Sequence, residues 1–242
     1  MNQVNVLEHV RIVLMKTSHP GNIGAAARAM KTMGLRHLYL VQPRSFPDPV
    51  ADARASGAED ILLAAQVVDS LEAALQGTVF SAAVTARRRE RSGPPLAARD
   101  AAPQLLVQAQ HGPVALVFGT ELSGLTNEEV ALCSLPVMIP ANPEFSSLNL
   151  GSAVQLLCYE LRMATDLAVL PPVNEEVPAT FEEIEGFHAH LERVMRDSGF
   201  YNPANPKRLL PRLRRLFGRI QLEKDEVNIL RGILSALEHK PD

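Results

Sequence analysis

Two short runs of β-branched and aromatic residues, Val114 to Phe118 and Leu135 to Ile139, each break abruptly into a loop of glycine, proline and small polar residues. Runs this short, bounded by breakers, fit strands buried on both faces of a sheet better than helices. Gly119 and Gly124 bracket Thr-Glu-Leu-Ser after the first run, and Pro140 and Pro143 punctuate the segment through Asn149 after the second. Glycine leaves backbone N–H and C=O groups approachable, and proline can neither continue the strand nor let a helix start early. Thr126 and Glu129 have capping-box spacing and predict a short helix through Cys133. Leu150, Ala153, Val154, Leu157, Cys158 and Leu161 recur at helical spacing and predict an amphipathic helix ending near Met163. The two loops are therefore expected at the carboxyl ends of two adjacent strands, where open α/β sheets bind ligands.

Either loop alone says little, because glycine after a strand is usually a turn and Ser-Ser-Leu-Asn before a helix is usually a cap. A third turn of the same kind stands near the N-terminus. Val10 to Leu14 reads as a strand, Asn22 to Met33 as an Ala-rich helix closed by Gly34, and His37 to Val41 as the next strand, together a βαβ unit. The Pro20-Gly21-Asn22 turn is expected to leave N–H groups free beside the positive helix end. It matches neither a Walker loop nor a GxGxxG turn. Arg28, inside that helix, reads from position alone as a solvated surface residue.

Thr78 to Thr85 predicts another central strand, with a minor one at Val67 and Val68. The former runs into Arg87, Arg88, Arg89, Glu90 and Arg91, a basic loop suited to phosphate as much as to solvent. The formal net charge of -3 gives no general polyanion signature, so any nucleic-acid partner must be argued from such local clusters. Cys133 and Cys158 lie in apolar patterns and need no role beyond core thiols of a reducing compartment. His188 and His190 are spaced wrongly for two ligands on one helix face, and no metal site is expected. No apolar run approaches ~20 residues, and the chain is expected to be soluble and cytoplasmic.

Three prolines and a rising acidic content after residue 165 mark a linker. Beyond it Phe181 to Asp197, Lys207 to Arg219 and Asp225 to Glu238 predict helices, the middle one carrying Lys207, Arg208, Arg212, Arg214, Arg215 and Arg219 without an acidic residue. So small a tail is expected to pack on the main domain or on another subunit with its basic helix outward. The organisation expected is a domain over 1–168, a linker over 169–180 and a helical extension over 181–242.

Asn22-Ile23-Gly24 with Arg28, then Phe118 to Leu125, then Ile139-Pro140 followed by Ser146 to Asn149, resemble in order the three motifs of the SPOUT, or trefoil-knotted, RNA 2′-O-ribose methyltransferases. From about Arg11 to Glu238 the chain is similar to the branch that methylates nucleotide 32 of the tRNA anticodon loop. The resemblance implies an α/β fold, a parallel-sheet SPOUT domain with a deep C-terminal trefoil knot over about 113–165, plus the small α-helical extension as a tRNA-binding piece. It implies S-adenosyl-L-methionine as cofactor, the tRNA anticodon stem-loop as partner, and a homodimer with the active site at the subunit interface.

By matching motif, the cofactor contacts implied are Val84, Thr85, Ala86, Gly119, Glu121, Ile139, Ser146, Ser147, Leu148 and the adjoining Asn149. Arg28, with Asn22 and Ser147, takes the catalytic role. Arg87 and Arg89, with Lys207, Arg208, Arg212 and Arg215, are the implied RNA contacts. Relatives commonly read Thr-Ser-Ala-Arg where this chain has Val84-Thr85-Ala86-Arg87, which preserves backbone contacts and alters a hydroxyl interaction. Two other readings are a sister enzyme acting on ribosomal RNA and a catalytically silent RNA-binding protein.

Overall fold

A computed structural model describes residues 6–86, 94–167 and 177–238 of the chain, which divides into two compact units, Met1–Val173 and Asn174–Asp242. After a 3-10 turn at Val6–His9, the first unit runs β1 (Val10–Met15), α1 (Pro20–Met33), β2 (His37–Val41), α2 (Pro49–Ala55), α3 (Glu59–Leu63), β3 (Gln66–Val68) and α4 (Leu71–Leu75). It continues β4 (Phe80–Val84), β5 (Leu96–Ala97), α5 (Ala98–Gln108), β6 (Val114–Phe118), α6 (Asn127–Ala131), β7 (Leu135–Met138) and α7 (Leu150–Leu167). The second unit holds α8 (Phe181–Asp197), α9 (Leu209–Gly218) and α10 (Lys224–Glu238).

The strands form one seven-stranded sheet in the order β3-β2-β1-β6-β4-β7-β5, and every pairing is parallel. β6 and β7 are therefore not neighbours, contrary to expectation. β4 pairs with both, Val84 standing opposite Phe118 on one side and Val137 on the other, so the end of β4 lies between the two loops. All five residues of β6 are buried, as a strand covered on both faces requires. The α7 stripe is buried as its spacing predicts, with Val154, Leu157 and Leu161 at 0% exposure, each worth ~1.5–3 kcal/mol.

Several boundaries move for local reasons. α1 starts at Pro20, not Asn22: proline is pre-set for the first helical position, and the His19 ring Nδ1 accepts the Gly21 N–H at 3.1 Å. The supposed Pro-Gly-Asn turn is thus the first turn of the helix, and its N–H groups at Gly21 and Asn22 are already bonded, the latter to the His19 carbonyl. Gly34 closes α1 at φ 85°, the left-handed conformation that favours glycine. The α6 capping box forms, with Glu129 N–H donating to Thr126 Oγ1 at 3.1 Å and Thr126 N–H to the Glu129 carboxylate at 2.7 Å, but the helix stops at Ala131, short of Cys133. Cys158 is fully buried, and burial pushes its thiol up to about 12.

The second unit has its own small core of Ala179, Phe187, Leu222, Val227 and Leu234, with Phe217 of α9 set edge-on to Phe187 at 4.8 Å. α9 begins two residues later than the basic run suggests, because Lys207 takes φ 47°, outside the helical region. Arg214 forks onto Glu185 of α8 while Lys207, Arg208, Arg212 and Arg215 stay exposed. No described helix is long and apolar enough to cross a membrane.

Candidate active site

The carboxyl ends of β4, β6 and β7 open into a cleft of 340 Å³. Val84, Thr85, Ala86, Gly119, Glu121, Ile139, Ser146, Ser147 and Leu148 all line it, so nine residues scattered over three segments meet at one sheet edge. The loop after β6 folds tightly on itself: Gly124 N–H donates to the Thr120 carbonyl at 3.0 Å, and a Cβ on Gly119 would lie 2.1 Å from the Gly124 carbonyl carbon. Only glycine permits that approach.

Phe118, Thr120, Leu122, Ser123, Gly124, Glu144, Phe145, Leu150 and Ala153 complete the lining; the sequence assigned none of them a contact, reading Gly124 as a loop bracket, Leu150 and Ala153 as helix-stripe residues and Phe118 to Leu125 only as a motif. For Leu122 and Phe145 a signal existed: large apolar residues inside polar loops, now 93% and 78% exposed. Apolar side chains turned to solvent around a concave wall are what a ligand-binding cleft presents.

Glu121 ties this cleft to α1. Its carboxylate accepts the Ser18 and His19 backbone N–H groups, the Ser18 hydroxyl at 3.0 Å and the Asn22 amide at 3.0 Å. The positive start of α1 therefore faces the protein's own carboxylate. Burial would raise the Glu121 pKa, but the hydrogen bonds from Asn22, Ser18 and His19 outweigh it and hold the group below its ordinary 4.5. With a depressed folded pKa, this contribution is complete above the ordinary value and lost as pH falls through the folded one. Glu121→Gln is expected to cost about 1.5 kcal/mol near neutrality, with the gap from wild type closing in thermal melts as pH falls below the ordinary carboxyl range and the group protonates.

Asn22 passes the connection on. Its Oδ1 accepts from Asn149 Nδ2 at 3.0 Å, and Asn149 Oδ1 accepts the Gly151 N–H at 3.0 Å at the start of α7. Asn149 lines not the first cleft but a second, 570 Å³ and more open, between α1, α2 and α7. Arg28 lines this second cleft, and Ser147 the first, so the two residues expected to act together occupy different walls of one chain. Arg87 and Arg89 lie outside the described residues. Among the described residues no three His, Cys, Asp or Glu side chains gather as metal ligands.

Residues 9–159 match the SpoU rRNA methylase family, and residues 182–242 match the C-terminal domain of the tRNA methyltransferase TrmJ. The tRNA (cytidine/uridine/adenosine-2′-O-)-methyltransferase TrmJ of Pseudomonas aeruginosa is 52% identical, across 95% of this chain and 94% of its own. The crystal structure of TrmJ from Z. mobilis superposes with a TM-score of 0.82 at 35% identity, covering 94% of this chain and 98% of that one. The SpoU methyltransferase AviRb of Streptomyces viridochromogenes in complex with AdoMet shares the fold, with a TM-score of 0.53 at 21% identity over 65% of this chain and 61% of its own. With both segments matched and likeness to TrmJ over almost the whole length, the chain belongs to the SpoU methylase family of the SPOUT superfamily and, within it, to TrmJ.

Proposed function

We propose that the chain transfers a methyl group from S-adenosylmethionine to the ribose 2′-hydroxyl of nucleotide 32 in the tRNA anticodon loop, working as a homodimer. The observation that carries this reading is the pair of clefts linked by the hydrogen-bonded chain Glu121–Asn22–Asn149, one walled by backbone-rich loops and the other by Arg28. The first fits the cofactor. Its volume of 340 Å³ falls within the ~300–1,000 Å³ usual for small-molecule sites, Ile139 and Leu148 offer apolar walls, and Ala86 and Gly119 let backbone groups reach an adenine edge.

When bound, the cofactor supplies an already activated sulfonium methyl. The residues of the chain have to hold the hydroxyl in line with it, an effect worth up to ~7–11 kcal/mol. A guanidinium does not give up its proton in proteins, so Arg28 serves as a cation and not as a base: it holds the phosphate beside the target ribose and lowers the hydroxyl pKa. Asn22 acts as a positioning residue, since its amide oxygen is taken by Asn149 and its amide nitrogen donates to Glu121. Ser147 faces the cofactor cleft and orients the groups there. The placing of Arg28 and Ser147 on separate clefts of one protomer favours a site completed across a dimer.

The reading extends to the rest of the chain: residues 1–168 form the catalytic domain, knotted over about 113–165, and 169–180 link it to a tRNA-binding extension over 181–242. Exposed Lys207, Arg208, Arg212 and Arg215, with Arg87 and Arg89, contact phosphates. Ribosomal RNA is the second reading, favoured by the family description matched over 9–159; likeness to TrmJ over almost the whole chain favours tRNA. Incubation with labelled S-adenosylmethionine separates them. Unmodified tRNA is expected to accept the methyl, and label entering only ribosomal RNA would move the enzyme to the other substrate.

A further inference from the structure

The second cleft carries more than Arg28. α1 and α2 cross with their backbones in contact: a Cβ on Gly24 would lie 2.1 Å from the Ala51 carbonyl oxygen and 2.9 Å from Ala55 N. That crossing sets Arg28, one turn past Gly24 on α1, and Arg54, the residue before Ala55 on α2, on the walls of the same 570 Å³ cleft. The Arg54 stem runs beside Gly21, its Cγ 3.4 Å from where a Cβ would sit there.

The chemistry of the walls is one-sided. The same walls carry small residues of α1, Ala25 and Ala29, the polar side chains Thr32, Ser152 and Gln155, and one apolar side chain, Leu156; among the described residues no carboxylate lines the cleft. Among the described residues, neither Arg28 nor Arg54 has an ion-pair or hydrogen-bond partner, whereas Arg99, Arg193, Arg196 and Arg214 are all paired with glutamates. Two guanidiniums on one open polar space, with hydroxyl and amide groups on the same walls, match a phosphodiester backbone and its ribose hydroxyls. The space is too open and too polar for a small apolar ligand.

We infer that this cleft seats the RNA backbone beside the target nucleotide, with Arg54 as a second phosphate clamp that holds the strand while Arg28 attends the reacting ribose. Arg54 is a positioning residue: it sets where the strand lies and makes no contact with the hydroxyl. The inference rests on the tRNA methyltransferase reading and deepens it.

Arg54→Gln, which keeps a polar stem and removes the charge, is the test, measured as binding of an unmodified tRNA transcript across a salt series and as steady-state methyl transfer. Affinity for tRNA at moderate salt is expected to fall about 3- to 10-fold. The slope of log K against log salt is expected to flatten by about 0.7–0.9, the signature of one lost phosphate contact. KM for tRNA should rise with kcat and cofactor affinity nearly unchanged, and Arg54→Lys should restore the wild-type slope. A wild-type slope in Arg54→Gln, alongside normal methylation by the wild type, overturns the clamp and leaves the enzyme intact. Wild-type protein that loses tRNA affinity on Arg54→Gln yet methylates no tRNA overturns the methyltransferase reading and leaves the clamp standing.

Discussion

Replacing Arg28 with alanine is expected to slow methyl transfer about 10²–10³-fold, ~2.7–4 kcal/mol of transition-state stabilisation, while tRNA and cofactor binding change only a few-fold. The magnitude follows from where charge develops. As the hydroxyl loses its proton to water and its oxygen forms the new bond to the methyl carbon, the carbon–sulfur bond would break and S-adenosylhomocysteine leave as a neutral thioether. Negative charge gathers on the ribose oxygen on the way, and a fixed guanidinium stabilises that state more than the neutral ground state. Among the described residues lining the second cleft, Arg54 is the one other cation, and it is assigned to the backbone, so none of them replaces what is lost. Arg28→Lys is expected to recover only part of the rate, because an ammonium keeps the charge without the fork. Single-turnover transfer at saturating tRNA measures the effect directly; full turnover in Arg28→Ala would remove the residue from the mechanism.

Gly24→Ala carries the second large effect, and its sign is opposite to what helix propensity gives. Alanine inside a helix ordinarily gains ~1 kcal/mol over glycine. Here the added Cβ would stand 2.1 Å from the Ala51 carbonyl oxygen, a backbone atom that cannot turn aside, so α2 has to move off α1 by roughly 1 Å. Overpacking of this kind costs about 1–3 kcal/mol or more, and separating the helices also pulls Arg54 away from Arg28. Gly24→Ala is therefore expected to lower the melting temperature of the first unit and to weaken tRNA binding together. Gly232→Ala supplies the contrast: within α10, with nothing within 4 Å of its Cβ position, it is expected to stabilise by up to ~1 kcal/mol. Thermal melts of the two variants beside wild type decide the matter, and stabilisation by both would mean that the helices do not cross as closely as described.

How far the sequence disclosed this arrangement depended on whether the signal was local. β6 was legible because five apolar residues end at Gly119, and α7 because its stripe recurs at helical spacing. The order β6-β4-β7 was not legible, since pairing between strands far apart in the chain leaves no local trace. α5 was hidden by Pro103, a residue that usually ends a helix and here lies inside one. In the site, Glu121 was picked out by motif, but its bonds to Ser18, His19 and Asn22 span about a hundred residues and depend on the fold. Arg28 by itself looked like any solvated helical arginine. The motif resemblance set it apart as catalytic, and what the structure adds is a second guanidinium on the same cleft, Arg54 of α2, which nothing in the sequence connects to Arg28.

The most direct test of the central claim is transfer of labelled methyl from S-adenosylmethionine to unmodified full-length tRNA, beside the same tRNA carrying a 2′-deoxy nucleotide at position 32. Label on the first and none on the second is the expected result, fixing reaction, atom and position together. Equal label on both would contradict the assignment to nucleotide 32, and no label on either would contradict methyl transfer itself.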